Sequence, residues 1–453
     1  YRRSDFEIMA PVGSRESLSA AIQAGANSIY FGIEHLNMRA HSASAFTIND
    51  LREIAEICDK HNIKSYLTVN TIIYEDDIAL MHNIIDAAKE SGISAVIASD
   101  VAVMQYCNRI GVEVHLSTQL NISNSEALKF YAQFADVIVL ARELNMEQVR
   151  EISDIIERDQ IKGPNGELVQ IEMFCHGALC MAVSGKCYLS LNNVGKSANR
   201  GECMQICRRS YTVRDRETGT ELDIDNKYIM SPKDLKTLRF MDVMMNSGVR
   251  VFKIEGRARG PEYVSTVVSC YNEAINSYIE GTFTEEKVAD WDARLTTIFN
   301  RGFWDGYYLG QRLGEWTHSY GSRATRKKVF AGKCTNFFKN ISVYADNLAA
   351  AGAFNVVIFF FVVIAVVAIA VAITAAAIVF VVVDILLKLK KIVVELLNVL
   401  VKLGKLIINI LKDLRHLNLR GVFHAYSGSE QIASHERDTC KHEQPLHRSI
   451  FTV

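Results

Sequence analysis

Eight short runs rich in β-branched and aromatic residues recur through the first 281 residues at about 30-residue spacing, and amphipathic segments with a helical apolar period lie between them. The runs are 6–12, 28–33, 64–70, 95–99, 113–118, 136–141, 169–177 and 249–256. Strand and helix alternating at this spacing demand parallel strands, because each helix returns the chain to the edge where the next strand starts. Eight such units favour an α/β fold of the closed (β/α)8, TIM-type barrel kind, with an open doubly wound sheet as the alternative. Helix starts are also legible. Thr47-Ile48-Asn49-Asp50 reads as a capping box ahead of LREIAEICDKH, and Ser231-Pro232-Lys233-Asp234 reads as a second start with Pro at the first helical position.

A barrel of this kind carries its chemistry at the C-terminal strand ends. There the sequence places Asn70, Thr71, Ser99, Asp100, Ser117 to Gln119, Arg142, Glu143, His176, Lys253, Glu255 and Arg257. Ser, Asp and Asn at such places often do no more than cap the next helix. Arg142 and Arg257 suit a carboxylate or phosphate, which a guanidinium holds with two parallel hydrogen bonds. The residues expected to carry catalysis are Arg142, Glu143, His176, Glu255 and Arg257.

Of ten cysteines, six (Cys58, Cys107, Cys175, Cys270, Cys334 and Cys440) are scattered, as buried small hydrophobes are. Cys180, Cys187, Cys203 and Cys207 are grouped, with a C-x6-C-x15-C-x3-C spacing directly after the seventh strand. With no signal peptide visible, a metal is a better expectation than disulfides, and spacing alone leaves zinc and an iron–sulfur cluster about level. Seven Lys/Arg against two acidic residues in 186–216 make the loop basic, either as a solvated balance to thiolates or as an RNA contact. A second aromatic and basic stretch, 301–328, suits either packing or single-stranded bases.

The rest of the chain is different material. The net charge of the whole chain, −1, excludes a wholly basic nucleic-acid coat, so any polyanion must meet a local patch. Only five prolines occur, and none lies between Pro261 and Pro445. No charged residue occurs from Asn347 to Val383, and 384–420 is a Leu/Ile/Val stretch with eight Lys/Arg and three Asp/Glu. This is either a membrane anchor followed by a basic surface helix, confined to 356–420, or a stretch that does not naturally continue the enzyme before it. The expected divisions are a barrel over 1–281 with its Cys-rich loop at 175–216, a linker over 282–343, the hydrophobic segment 344–420 and a polar tail 421–453.

Residues 172–190, EMFCHGALCMAVSGKCYLS, satisfy E-x-F-x2-G-A-L-C-x4-G-x-C-x-L-S, and NRGECMQICRRSY (199–211), LSTQLNISN (116–124), FKIEGR (252–257) and NRGFWDGYYLG (300–310) agree further. Over about residues 6–343 the chain resembles the collagenase-like peptidase family U-32. It shows no His-Glu-x-x-His or Gly-x-Ser-x-Gly motif. The resemblance implies instead the branch of RNA hydroxylation proteins, with a 4Fe-4S cluster on Cys180, Cys187, Cys203 and Cys207 and prephenate as co-substrate. It implies a cytoplasmic RNA-modifying enzyme making 5-hydroxyuridine in tRNA, with ribosomal RNA cytidine hydroxylation or proteolysis as alternatives. Its partners would be RNA and a small dicarboxylate.

Overall fold

The computed structural model describes residues 1–40, 46–219, 221–222, 227–310, 313–326, 333–338, 341–345 and 395–406. These divide into one unit formed by residues 1–326 and a second formed by those beyond 327. In the first, β1 (Glu7–Pro11), β2 (Ser28–Phe31), β3 (Lys64–Val69), β4 (Ala95–Ala98), β5 (Val114–Leu116), β6 (Val137–Val139) and β7 (Gln170–Gly177) pair in sequence order, all parallel. A small antiparallel pair, β8 (Val213–Arg214) and β9 (Glu221–Leu222), and strand β10 (Asp234–Lys236) precede β11 (Val249–Ile254); β12 (Phe303–Trp304) follows. β11 pairs in parallel with both β7 and β1. Eight parallel strands therefore close into a TIM barrel, and each coincides with one of the eight runs in the sequence.

Helices α1 (Arg15–Gln23), α2 (Leu51–Lys60), α3 (Ile78–Ser91), α4 (Val101–Ile110), α5 (Ser125–Ala132) and α6 (Met146–Asp159) alternate with the first seven strands. The Thr47 signal holds: the Thr47 backbone N–H and hydroxyl both donate to Asp50, in a 3-10 turn that runs into α2. α7 (Leu189–Val194) belongs to the loop after β7, α8 (Met241–Asn246) precedes β11, and α9 (Pro261–Ile279) and α10 (Glu285–Thr296) complete the unit. Residues 282–326 thus form part of the barrel unit. One large apolar core lies between helices and the outer strand faces, and a smaller one, including Met9, Tyr30, Tyr66, Ile97 and Val251, fills the barrel.

The Ser231-Pro232-Lys233-Asp234 signal does not open a helix. Pro232 bridges to Trp316, Asp234–Lys236 becomes β10, and the next α-helix begins at Met241. The cause is an open edge. β6 covers β7 only as far as Glu172, and β10 takes over antiparallel at His176 and Gly177, with β12 added outside it. Unpaired backbone groups on a buried edge cost more than a local cap contributes.

On its other side β7 carries a register slip: Lys253 pairs with Phe174, but Ile254 pairs with His176. Without this bulge at Cys175, strict alternation would carry His176 inward with Glu172 and Phe174. His176 is instead buried among the rings of Tyr263, Tyr271 and Phe303. Inside the barrel, Lys253 Nζ donates to Glu172 Oε1 at 2.6 Å, both side chains being buried.

Of the second unit, an antiparallel hairpin, β13 (Lys333–Phe338) with β14 (Ile341–Ala345), and a helix at 395–406 are described. That helix exposes Leu396, Leu397, Val399, Val401, Leu403 and Leu406. Among the described residues no helix is long and apolar enough to cross a membrane. The proposed membrane run Asn347 to Val383, the remainder of 384–420 and the tail 421–453 lie outside the described residues.

Lys253→Met leaves the Glu172 carboxylate alone in the barrel, so it is expected to cost about 3–5 kcal/mol in chemical denaturation, and Glu172→Leu in the same chain recovers most of that. Burial, with Lys236 adding, lowers the His176 pKa from 6.5 to about 3. The unfolded chain therefore takes up a proton that the folded chain refuses. Stability from this group is complete above about pH 6.5 and falls as the pH drops toward 3, by at most about 1.4 kcal/mol per pH unit. His176→Phe is expected to flatten the melting temperature across that window.

Candidate active site

A cavity of about 240 Å³ opens at the C-terminal ends of the strands, with Lys253 and Phe174 among its barrel residues and the loop after β7 contributing to its wall. The Tyr30 ring lies between two cations, 4.8 Å from Lys253 Nζ and 5.8 Å from the Arg257 guanidinium, and its hydroxyl donates to the Ile254 carbonyl at 2.8 Å. Asn70, just past the neighbouring strand β3, donates to Ser117 at 3.2 Å, and both line the cavity. Asp100 does what a cap does, accepting from Ala102 N at 2.9 Å at the start of α4.

Three of the expected catalytic residues meet here, and two do not. Glu255, Arg257 and Arg142 line the cavity. Glu255 accepts from Arg39 at 2.8 Å. Burial pushes its carboxyl up, but Arg39, Arg257 and Arg142 together outweigh burial and hold it below the ordinary range. Arg257 is fully enclosed and donates to neutral partners, Thr68 Oγ1 at 2.6 Å and Asn37 Oδ1 at 3.2 Å, and burial lowers its pKa to about 10. Arg142 stacks over Phe174 and donates to Ser184 Oγ at 2.8 Å, while its buried Nε has no partner among the described residues. Glu143 is exposed and outside the cavity. His176 is also outside it, turned away by the β7 bulge.

The loop after β7 is fastened at several points. Gly177 begins it at φ +104, where a Cβ would come within 2.3 Å of the Glu255 carbonyl oxygen. Asn121 Nδ2 donates to the Ser184 carbonyl at 2.9 Å, Ile72 N donates to the Asn199 carbonyl at 3.1 Å, and Arg200 pairs with Asp77 and stacks on Tyr74. Arg208 ties three places together. It donates to the Leu179 carbonyl at 2.6 Å, to the Pro232 carbonyl at 2.7 Å and to Ser231 Oγ at 3.0 Å, with burial lowering its pKa to about 10.

Cys180, Cys187, Cys203 and Cys207 are all free thiols and all line this one cavity. They also feel one another: burial raises the Cys207 thiol pKa, the other three cysteines add to that, and Arg208 opposes it. Among the described residues no three His, Cys, Asp or Glu side chains converge on a point that would hold a single metal ion. A tetrahedral zinc needs its sulfurs about 2.3 Å from one centre, whereas a 4Fe-4S cluster spreads its four thiolates over several irons. A set of four thiols around a shared cavity, with cationic Arg208 and Arg39 nearby, fits the larger anionic group better.

Over 301–308 the aromatic and basic stretch packs, whereas Tyr320, Arg323 and Arg326 are exposed, and 311–312 and 327–328 lie outside the described residues. Trp304 and Tyr308 are buried, the Tyr308 hydroxyl donates to the Phe174 carbonyl at 2.9 Å, and Arg301 pairs with Asp234 at 3.3 Å at the cavity wall. The sequence reading did not single out Arg39, Asp234, Tyr263 or Arg301 as site residues, although all four line the cavity. Arg39 lies in a loop well beyond the end of β2, so only barrel closure brings it to Glu255.

The sequence profile of Peptidase family U32 matches residues 13–318. A collagenase of Porphyromonas gingivalis is 69% identical over 340 residues, 75% of this chain and 82% of that protein. The tRNA hydroxylation protein P1 of Bacillus subtilis is 32% identical over 322 residues, 68% of this chain and 74% of the relative. A 23S rRNA 5-hydroxycytidine synthase of Escherichia coli is 33% identical over 275 residues, 60% of this chain and 40% of the relative. With the family profile spanning most of the chain and these relatives alongside it, the chain belongs to peptidase family U32.

Proposed function

We propose that this chain is a cytoplasmic iron–sulfur enzyme that hydroxylates an RNA pyrimidine, a tRNA uridine ahead of a ribosomal cytidine, with a dicarboxylate such as prephenate as co-substrate. The observation that carries the reading is the convergence of Cys180, Cys187, Cys203 and Cys207 on a cavity lined by arginines. These four cysteines would hold a 4Fe-4S cluster, which when bound would supply electron or oxygen-atom transfer at the mouth of the barrel. Arg142, whose Nε has no partner among the described residues, and Arg257, bonded among them to neutral side chains, are the groups that would hold the acid. Relatives named for tRNA hydroxylation and for 5-hydroxycytidine synthesis support an RNA substrate.

The collagenase name of the 69% identical relative favours a second reading, proteolysis. The chemistry on this chain speaks against it. Burial holds the Cys175 thiol well above its ordinary pKa and the adjacent His176 neutral, outside the cavity, so this pair offers neither a thiolate nor a base facing a substrate.

Anaerobic purification is expected to yield a brown protein with iron, acid-labile sulfide and a broad visible absorption, all lost in Cys180→Ala/Cys187→Ala; a colourless protein with zinc sinks the cluster. Nucleoside mass spectrometry of tRNA from a deletion strain is expected to lack 5-hydroxyuridine derivatives, restored by the wild-type chain and not by the double variant. Unchanged tRNA, together with cleavage of denatured collagen by the purified chain, favours the peptidase.

A further inference from the structure

The outer surface of the loop after β7 is unusually apolar for a solvent-facing segment. Met181, Val183, Tyr188, Leu191, Val194 and Met204, all within 24 residues, are large hydrophobic side chains left exposed, and Tyr188 is 73% exposed. Apolar surface gathered this densely marks a binding surface rather than scattered exposure. It borders the cavity: Met181 is both exposed and part of the cavity wall, and Met204, next to the lining residues Cys203 and Gln205, donates its backbone N–H to Ser190 of α7 at 3.0 Å. The loop's charge is positive. Lys196 is paired with Glu202 and Arg200 with Asp77, but among the described residues the exposed Lys186 and Arg209 make no ion pair.

We propose that this surface, centred on Tyr188, docks the unpaired loop of an RNA stem-loop and delivers one base into the cavity beneath. The inference rests on the RNA-substrate part of the proposed function and adds where the RNA sits. An exposed aromatic ring beside aliphatic side chains offers a face on which bases stack without regard to sequence, and unpaired cations offer contacts to the phosphates. An acidic protein would satisfy Lys186 and Arg209 equally well. The patch lies beside a cavity that can receive one base, and exposed aromatic and aliphatic faces beside unpaired cations suit a ligand with both π faces and phosphates better than an acidic protein. A double helix fits less well, because its bases are stacked on one another and present no free faces to Tyr188.

The test uses the full chain, purified anaerobically, and fluorescence anisotropy with two probes: a stem-loop RNA with a uridine-rich loop, and a fully paired duplex of equal length. The wild-type chain is expected to prefer the stem-loop. Tyr188→Ala is expected to weaken stem-loop binding about tenfold with little change in the salt dependence, and Tyr188→Trp to restore it. Lys186→Ala/Arg209→Ala is expected to reduce the slope of log affinity against log salt by about 1.4, at about 0.7 per phosphate contact on a single strand. Since Tyr188 is mostly exposed, its variants are expected to melt with the wild type.

Stem-loop binding that is absent in the wild type, or unaltered in Tyr188→Ala, overturns the proposal. So does light scattering in which Tyr188→Ala dissociates a dimer while RNA affinity stays put, which makes the patch a contact between copies. An acidic protein that binds through Tyr188 while the stem-loop does not overturns it as well. Binding is read without turnover. If Tyr188-dependent binding is found but hydroxylation is absent, the activity fails and the docking surface stands; hydroxylation that persists in Tyr188→Ala with unaltered binding leaves the activity standing and removes the surface.

Discussion

The molecule depends on what is done with the two edges of one strand. β7 closes the barrel through β11 on one side, and on the other it is covered first by β6 and then, past Glu172, by β10. Backbone groups on a buried strand must find partners, so the chain beyond the cysteine loop has to return to β7 before the barrel is complete. That return fixes both ends of the loop. Gly177, which leaves β7, is paired with Leu235 of β10, and Arg208 near the loop's far end is bonded to the turn that enters β10.

The cavity beneath the loop holds more positive charge than its carboxylates balance. Arg39, Lys253 and Arg301 have acidic partners in Glu255, Glu172 and Asp234, whereas Arg142, Arg208 and Arg257 are bonded to hydroxyls, an amide and carbonyl groups. Burying a guanidinium that is not directly paired is costly, and burial lowers the pKa of Arg208 and Arg257 to about 10 against the opposing pull of Asp234 on the first and Glu255 on the second. Such an arrangement is relieved by anions.

The eight barrel strands were legible because strands covered on both faces are rich in β-branched and aromatic residues, even where Glu7, Glu172 or Lys253 interrupts the run. The cysteine group was legible from spacing alone. β10 and β12 were not, because their short segments are strands only where an open edge of β7 receives them, and Ser231-Pro232 carried a competing local signal for a helix. His176 was misplaced for a related reason: alternation predicts its direction only while the register holds, and the slip at Cys175 depends on the partner strand. Glu143 follows Arg142 in the turn just past β6, where strand alternation no longer sets side-chain direction, and it faces solvent. Arg39 carried no periodic signal, so its meeting with Glu255 became visible only once the barrel closed.

The lateness of β10 and β12 has a consequence for how the chain is born. Synthesis proceeds from the N-terminus, so the four cysteines emerge well before Asp234–Lys236 and Phe303–Trp304, the strands that complete the edge beside them. For that interval the loop can be held by β7 and by its bonds to Ile72, Asp77 and Asn121, while the Arg208 anchor still lacks Ser231 and Pro232. The loop acquires this last anchor after much of the barrel has left the ribosome, which leaves a period during synthesis when the segment around Cys207 is less constrained than in the finished fold.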